Sequence, residues 1–264
     1  MTGATDTAPG AVLTRLAATG ATGALHGRVG ALYLADGAVV HAESPAVPDV
    51  GWRLTAGGRL SAQEWEEAVE TGGPDYRAGC FLVERGRLSR GELELCHLSA
   101  LFDAAYFVLF PLDRSQQAPD RFLKEARHWF GPVRPVPVSV LQREVSRRRA
   151  LLELAWPRPE VDVAPVVPAS GAGAGGAGCD EPTCGRRAVL AAADGVRTPL
   201  QIARALGRSA FATLLDVRRL AAAGLVRTPE AGVPAPGGPA PRAADPAVPE
   251  ISLLYRIRDA LEAL

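Results

Sequence analysis

The stretch TGALHGRVGALYLADGAVVHAES, residues 22–44, decides the fold class. Apolar and small residues alternate with turn formers, which predicts strands at Ala24–His26, Ala31–Ala35 and Ala38–Ala42. Asp36-Gly37 joins the last two, and glycine tolerates the positive φ that a two-residue hairpin turn demands. A short helix over Val12–Ala18 and a turn at Gly20/Gly23 precede this small antiparallel sheet. The expected class is therefore α+β.

Downstream the chain writes GRLSAQEW from Gly58 and GRLSRGEL from Gly86. Ser61 with Glu64, and Ser89 with Glu92, each form S-x-x-E, a capping box that starts a helix. Trp65, Ala68 and Val69 follow at helical spacing in the first copy, and Leu93, Cys96, His97 and Ala100 in the second. Leu60 and Leu88 are positioned to staple onto the first turns. Arg59 and Arg87 read as turn residues with no ligand. Between the copies CFLVERG reads as a buried strand entering a turn.

LFDAAYFVLFPLD then reads as an apolar helix followed by a strand. In VPVSVLQREVSRRRALLELAWP a helix starts at Pro137/Ser139, with Val140, Leu141, Glu144, Val145 and Arg148 along one face. Arg147, Arg148 and Arg149 invite a nucleic-acid reading. Ordinary charge patterning favours a solvated face paired with Glu144 and Glu153.

Residues 158–182 are rich in Pro, Gly and Ala and read as a disordered linker between a domain at 1–157 and a helical block at 183–230. That block predicts helices Arg186–Ala193, Pro199–Leu206 and Ser209–Ala223, then a strand at LVRT, which is the spacing of a winged helix-turn-helix. Leu190, Ile202, Leu206, Phe211, Leu214, Leu215, Leu220 and Leu225 would supply one small core. Arg208, Thr213, Arg218, Arg219 and Arg227 are the candidate DNA contacts. Against DNA, Asp216 would face the phosphates and no basic wing follows, so protein contact stays open as the block's role. A second linker at 231–249 leads to a helix at 250–264, whose Ile251, Leu254, Ile257, Leu261 and Leu264 form a docking stripe.

The 264 residues carry 29 basic and 29 acidic side chains. Their distribution is uneven: 1–114 holds nine Arg against fourteen Asp and Glu, whereas 183–229 holds eight Arg against two Asp. Lys124 is the only lysine, and it lacks the glycine-rich loop of a nucleotide-binding Walker motif. Cys179 and Cys184 have no second ligand pair, so no zinc site is expected. His26, His41, His97 and His128 are far apart in sequence and read as structural or surface residues. These features disfavour an enzyme, a cofactor or a metal, and the absence of a leader-like or spanning apolar run predicts a cytoplasmic location with no membrane contact.

As a set, residues 22–44, the helix VLQREVSRRR and the block ADGVRTPLQIARALGRSAFATLLDVRRLAAAGLV resemble the PATAN domain of bacterial regulatory proteins, in which a winged helix often follows. One departure is RALLELAW, where the family usually places an acidic-aromatic pair. The resemblance implies signalling or transcriptional control without catalysis, beside two-component or small-GTPase systems. Two expectations follow: a transcriptional regulator whose winged helix binds DNA, or an adaptor using that block and the last helix for protein contacts. A homodimer is compatible with either.

Overall fold

Alternation over residues 22–44 builds three strands close to the expected bounds: β1 (Gly23–Gly27), β2 (Gly30–Ala35) and β3 (Ala38–Glu43). In this computed structural model, which describes residues 9–112, 121–169 and 183–228, Asp36 and Gly37 both adopt positive φ, 48° and 77°. That is the backbone a tight hairpin between right-twisted strands requires. Two strands not anticipated from sequence, β4 (Arg121–Lys124) and β5 (Val136–Pro137), complete an antiparallel sheet in the order β4-β1-β2-β3-β5. The α+β class holds.

Among the described residues six helices belong to this part: α1 (Pro9–Ala18), α2 (Val50–Ala56), α3 (Ala62–Gly72), α4 (Ala78–Glu84), α5 (Arg90–Leu109) and α6 (Val138–Ala155). Of these, α1, α5 and α6 pack on the sheet's core, while α2, α3 and α4 pack with the start of α5 in a second cluster. Leu25, Leu32, Leu34 and Val39 pack with Leu13, Phe107, Leu141 and Val145 as the main core. None of the helices among the described residues is long and apolar enough to cross a membrane.

Both capping boxes form. The Ser61 amide donates to Glu64 Oε2 at 2.8 Å and the Glu64 amide donates to Ser61 Oγ at 3.2 Å, with 3.0 and 3.2 Å for Ser89 and Glu92. The two copies also exchange charges: Arg59 bridges to Glu92 at 2.5 Å and Arg87 to Glu64 at 2.9 Å. Each capping glutamate thus serves its own helix start and the other copy's arginine. The segment between them is a correction. CFLVERG is not a strand but the end of α4 and its exit turn, because the repeat reaches further upstream than its Gly-Arg-Leu-Ser core. Gly51/Gly79, Leu54/Leu82, Gly58/Gly86 and Leu60/Leu88 occupy matching places, and Leu54 and Leu82 carbonyls each accept the amides of the Arg-Leu pair that follows. The unit is helix, turn, helix, written twice.

Two further expectations change. LFDAAYFVL continues α5 through Leu109 without forming a strand, since Leu101, Ala104, Ala105 and Val108 keep helical spacing and are buried. The stretch from 158 is structured at its start: a 3-10 turn at Pro159–Asp162 and β6 (Val167–Pro168) are built in. Residues 170–182 lie outside the described residues.

The C-terminal block comprises α7 (Cys184–Ala192), α8 (Pro199–Ala205), α9 (Ala210–Ala222) and β7 (Val226–Arg227), the last paired antiparallel with β6. Its expected single core is divided. Ile202, Val217 and Leu220 pack with Val161, Val166 and Val189, whereas Phe211 and Leu214 join the main core of the sheet. Contacts accordingly group the described residues as one compact unit. Residues 231–264, with the expected second linker and last helix, lie outside the described residues.

Ser61→Ala and Ser89→Ala are each expected to lower stability by about 1 kcal/mol. Denaturant midpoints should shift with unchanged slopes, since only a cap is lost.

Candidate functional site

The central polar feature is Asp103, midway along α5 and 0% exposed. Its Oδ2 accepts from Arg53 Nη2 of α2 at 2.6 Å and from the Ala210 amide, the first of α9, at 3.0 Å. Its Oδ1 accepts from Arg148 Nη1 of α6 at 2.6 Å. Arg53 spends its other donors on the Pro48 carbonyl and Ser99 Oγ, and Arg148 spends its Nε on Glu144. The Arg148 guanidinium also lies 4.7 Å from the Phe211 ring centroid, a cation–π contact onto α9. One carboxylate therefore joins α2, α5, α6 and the start of α9. Of the three adjacent arginines, Arg147 pairs with Glu144 and Arg149 with Glu153, as charge patterning predicts, while Arg148 turns inward.

The five candidate DNA contacts separate into two groups. Arg208 is half-buried, bridging to Asp216 at 2.9 Å and donating to the Gly185 carbonyl at 3.0 Å. Thr213 is fully buried and its hydroxyl donates to the Ser209 carbonyl. Arg218 is 5% exposed. It grips Asp162 with two bonds, 2.9 and 2.6 Å, and donates to the Trp156 carbonyl at 2.6 Å. Burial, reinforced by the charge of Asp162, pushes the nearby Tyr106 phenol up to about 12. Arg218 and Thr213 thus face inward in this arrangement, and Asp216 faces Arg208 instead of solvent. Arg219 and Arg227 are exposed. The docking stripe Ile251, Leu254, Ile257, Leu261 and Leu264 lies outside the described residues.

The sequence reading separated the histidines, but the fold brings three of them together. Tyr33 and His41 are cross-strand partners in β2 and β3. The His41 ring stacks on His128 with centroids 3.6 Å apart, and His41 Nδ1 lies 3.1 Å from His97 Nε2 of α5. Phe130 stacks on His97, Tyr33 meets His128 edge-on, and the Tyr33 hydroxyl donates to Glu43 Oε1 at 2.8 Å. All three imidazoles are buried, at 5%, 0% and 8% exposure for His41, His97 and His128. Desolvation, then the charges of the other two rings, pushes His41 well below the usual range. Desolvation and His128 lower His97 to about 4, against an opposing pull from the Val40 backbone. Among the described residues no group of His, Cys, Asp or Glu has an arrangement that could hold a metal ion.

An open groove of about 370 Å³ runs beside the Asp103 cluster, lined by Arg53, Leu54, Leu88, Leu95, Cys96 and Ser99. The Cys96 thiol there is pushed up by burial, with Arg53 opposing. Compared with known protein families, curated proteins and solved structures, the chain matches none.

Removing one partner of a buried ion pair leaves an uncompensated charge, which costs roughly 3–5 kcal/mol. Arg218→Ala and Asp162→Ala should each lose that much, and the double variant Arg218→Met/Asp162→Leu should regain most of it. Asp103→Ala should cost at least as much as either. Arg219→Ala should stay within about 0.5 kcal/mol of the parent. Equilibrium denaturation of the full chain measures all of them, and near-equal losses at Arg218 and Arg219 would contradict the burial argument.

Proposed function

We propose that this chain is a non-enzymatic regulatory protein, a signalling adaptor in a small-GTPase or two-component pathway. Its α+β body is read as a PATAN-like sensory and interaction domain, and α7–α9 with β7 as a winged helix-turn-helix that works through protein contacts. The Asp36-Gly37 hairpin and the arginine-bearing α6 support the first assignment. The order of three helices and a terminal strand supports the second.

The observation that carries the adaptor reading is the outward face of α9. In a DNA-reading winged helix, the helix in this place presents hydrogen-bonding side chains to base edges. Here the exposed positions are Arg219, Ala222 and the capping Ala223, flanked by half-buried Ala212, while Thr213, Asp216 and Arg218 are buried and Leu215 packs against the main core. Small apolar residues around one arginine suit the core of a protein interface, where arginine is enriched and other charges are depleted.

A transcriptional regulator is the second reading, and exposed Arg219 and Arg227 favour it. They would contact phosphates, which give affinity and orientation but no sequence readout. Fluorescence anisotropy of the full chain with duplex DNA, from low ionic strength to about 0.2 M salt, separates the two. The adaptor reading expects no salt-dependent binding and identical behaviour of Arg219→Ala/Arg227→Ala, with partner capture abolished by Ala222→Glu, a change on the exposed end of α9. Steep salt dependence, with a slope reduced by about two in the double arginine variant, would replace it with the DNA reading.

A further inference from the structure

The three buried histidines join three separate elements. His41 belongs to β3, His97 to α5, and His128 to the segment that follows β4. The Phe130 amide donates to His128 Nδ1 at 3.2 Å, so the proton of His128 sits on Nε2, which faces Glu43 Oε2 at 3.5 Å. Between His41 Nδ1 and His97 Nε2 there is room for one proton, because one nitrogen must accept what the other donates. His97 Nδ1 is buried with no hydrogen-bond partner. The bond between β3 and α5 therefore holds only while one of the two facing nitrogens is unprotonated. A first added proton charges a site sealed from water, and protonating both facing nitrogens breaks the bond between β3 and α5.

Against desolvation, the groups around the stack offer that charge the Val40 backbone at His97 and the Glu43 carboxylate at His128. From β3 comes Glu43, which is shared between His128 and the hydroxyl of Tyr33 on β2. From β1 comes His26, edge-on to Tyr33, and a proton there would add repulsion. From the segment after β4 come Trp129 and Phe130, whose rings contact His128 and His97. Cys96 neighbours His97 on α5.

We propose that His41, His97 and His128 form an acid-sensitive latch that holds α5 on β3 and is released by protonation, loosening the grip of Asp103 on α9. The two ends are mechanically linked, since His97 and Asp103 lie six residues apart on one helix, about 9 Å along its axis. The direction with pH follows from linkage. An unfolded histidine takes up its proton near 6.5, whereas His41 and His97 in the fold resist it, down to about 4 at His97. Closure is therefore complete above about pH 6.5 and is lost as the pH falls between these values. This inference rests on the packing of the stack and is independent of what the surface binds.

Amide hydrogen exchange on the full chain at about pH 7.5 and about pH 5, corrected for intrinsic exchange, reads the latch directly. Acid should reduce protection at least tenfold in β3, in α5 and at the Ala210 amide, while α3 and α7 hold theirs. His41→Leu/His97→Leu, which fills the site without a titrating group, should abolish the difference. Should that variant not fold, the imidazole resonances of the wild-type chain decide by NMR titration. His41 and His97 must titrate below the free-histidine value, together with the loss of protection in α5. Titration near 6.5 with protection unchanged, or a uniform loss of protection across the whole unit, would overturn the proposal.

Discussion

A carboxylate with no access to water has to be answered by cations and amides, and Asp103 is answered from three directions. Arg53 reaches it from α2, Arg148 from α6 and the Ala210 amide from α9. Two guanidiniums against one carboxylate leave a positive surplus, which Glu144 takes up at Arg148. The network resists partial loss, since any member removed strands a buried charge among apolar neighbours. The rest of the arrangement depends on this. With α9 capped by a side chain of α5, its Phe211 and Leu214 are committed to the main core and its Thr213 and Arg218 are turned away from solvent.

What was legible in the sequence is what local chemistry specifies. Asp36-Gly37 sets a hairpin whatever surrounds it, and Ser-x-x-Glu starts a helix wherever it occurs. Helices α6 to α9 are likewise read within a few residues from caps and apolar spacing. CFLVE reads as a strand because its four apolar residues have no period of their own, being too few to tell a strand from one buried helical turn. A signal was nonetheless present. Setting the two Gly-Arg-Leu-Ser copies in register places Leu82 over Leu54 and Gly79 over Gly51, which assigns both upstream segments the same structure. The LFDAAYFVL stretch failed in the opposite way, since a helix buried on nearly all sides lacks the polar face that periodicity relies on.

The polar clusters were illegible for a different reason. His41, His97 and His128 meet because α5 packs on β3 and the segment after β4, which pairs with β1, runs back beside His41, and neither relation is written near any of the three. Arg218 looked like a surface residue because a buried arginine and an exposed one are identical as letters. Only its partner distinguishes them, and Asp162 sits in a stretch whose composition suggested a linker. Charge counted along a segment thus overstated what the C-terminal block presents, as part of that positive charge is neutralised internally.

The stretch at 158–169 carries a consequence for where the chain can be divided. Composition invites a cut at the edge of the Pro/Gly/Ala tract, which would release 183–230 as a fragment. Such a fragment would leave behind Asp162, the partner of Arg218; β6, the partner of β7; and Val161 and Val166, which fill the core beneath α7 and α9. Valine 166 also exchanges backbone bonds with Gly195 and Arg197 in the turn between α7 and α8. The smallest piece that keeps these partners begins near Trp156, upstream of the tract. A domain boundary drawn where the prolines and glycines accumulate would therefore divide a folding unit, and a fragment that failed to fold would report on the cut instead of on the domain.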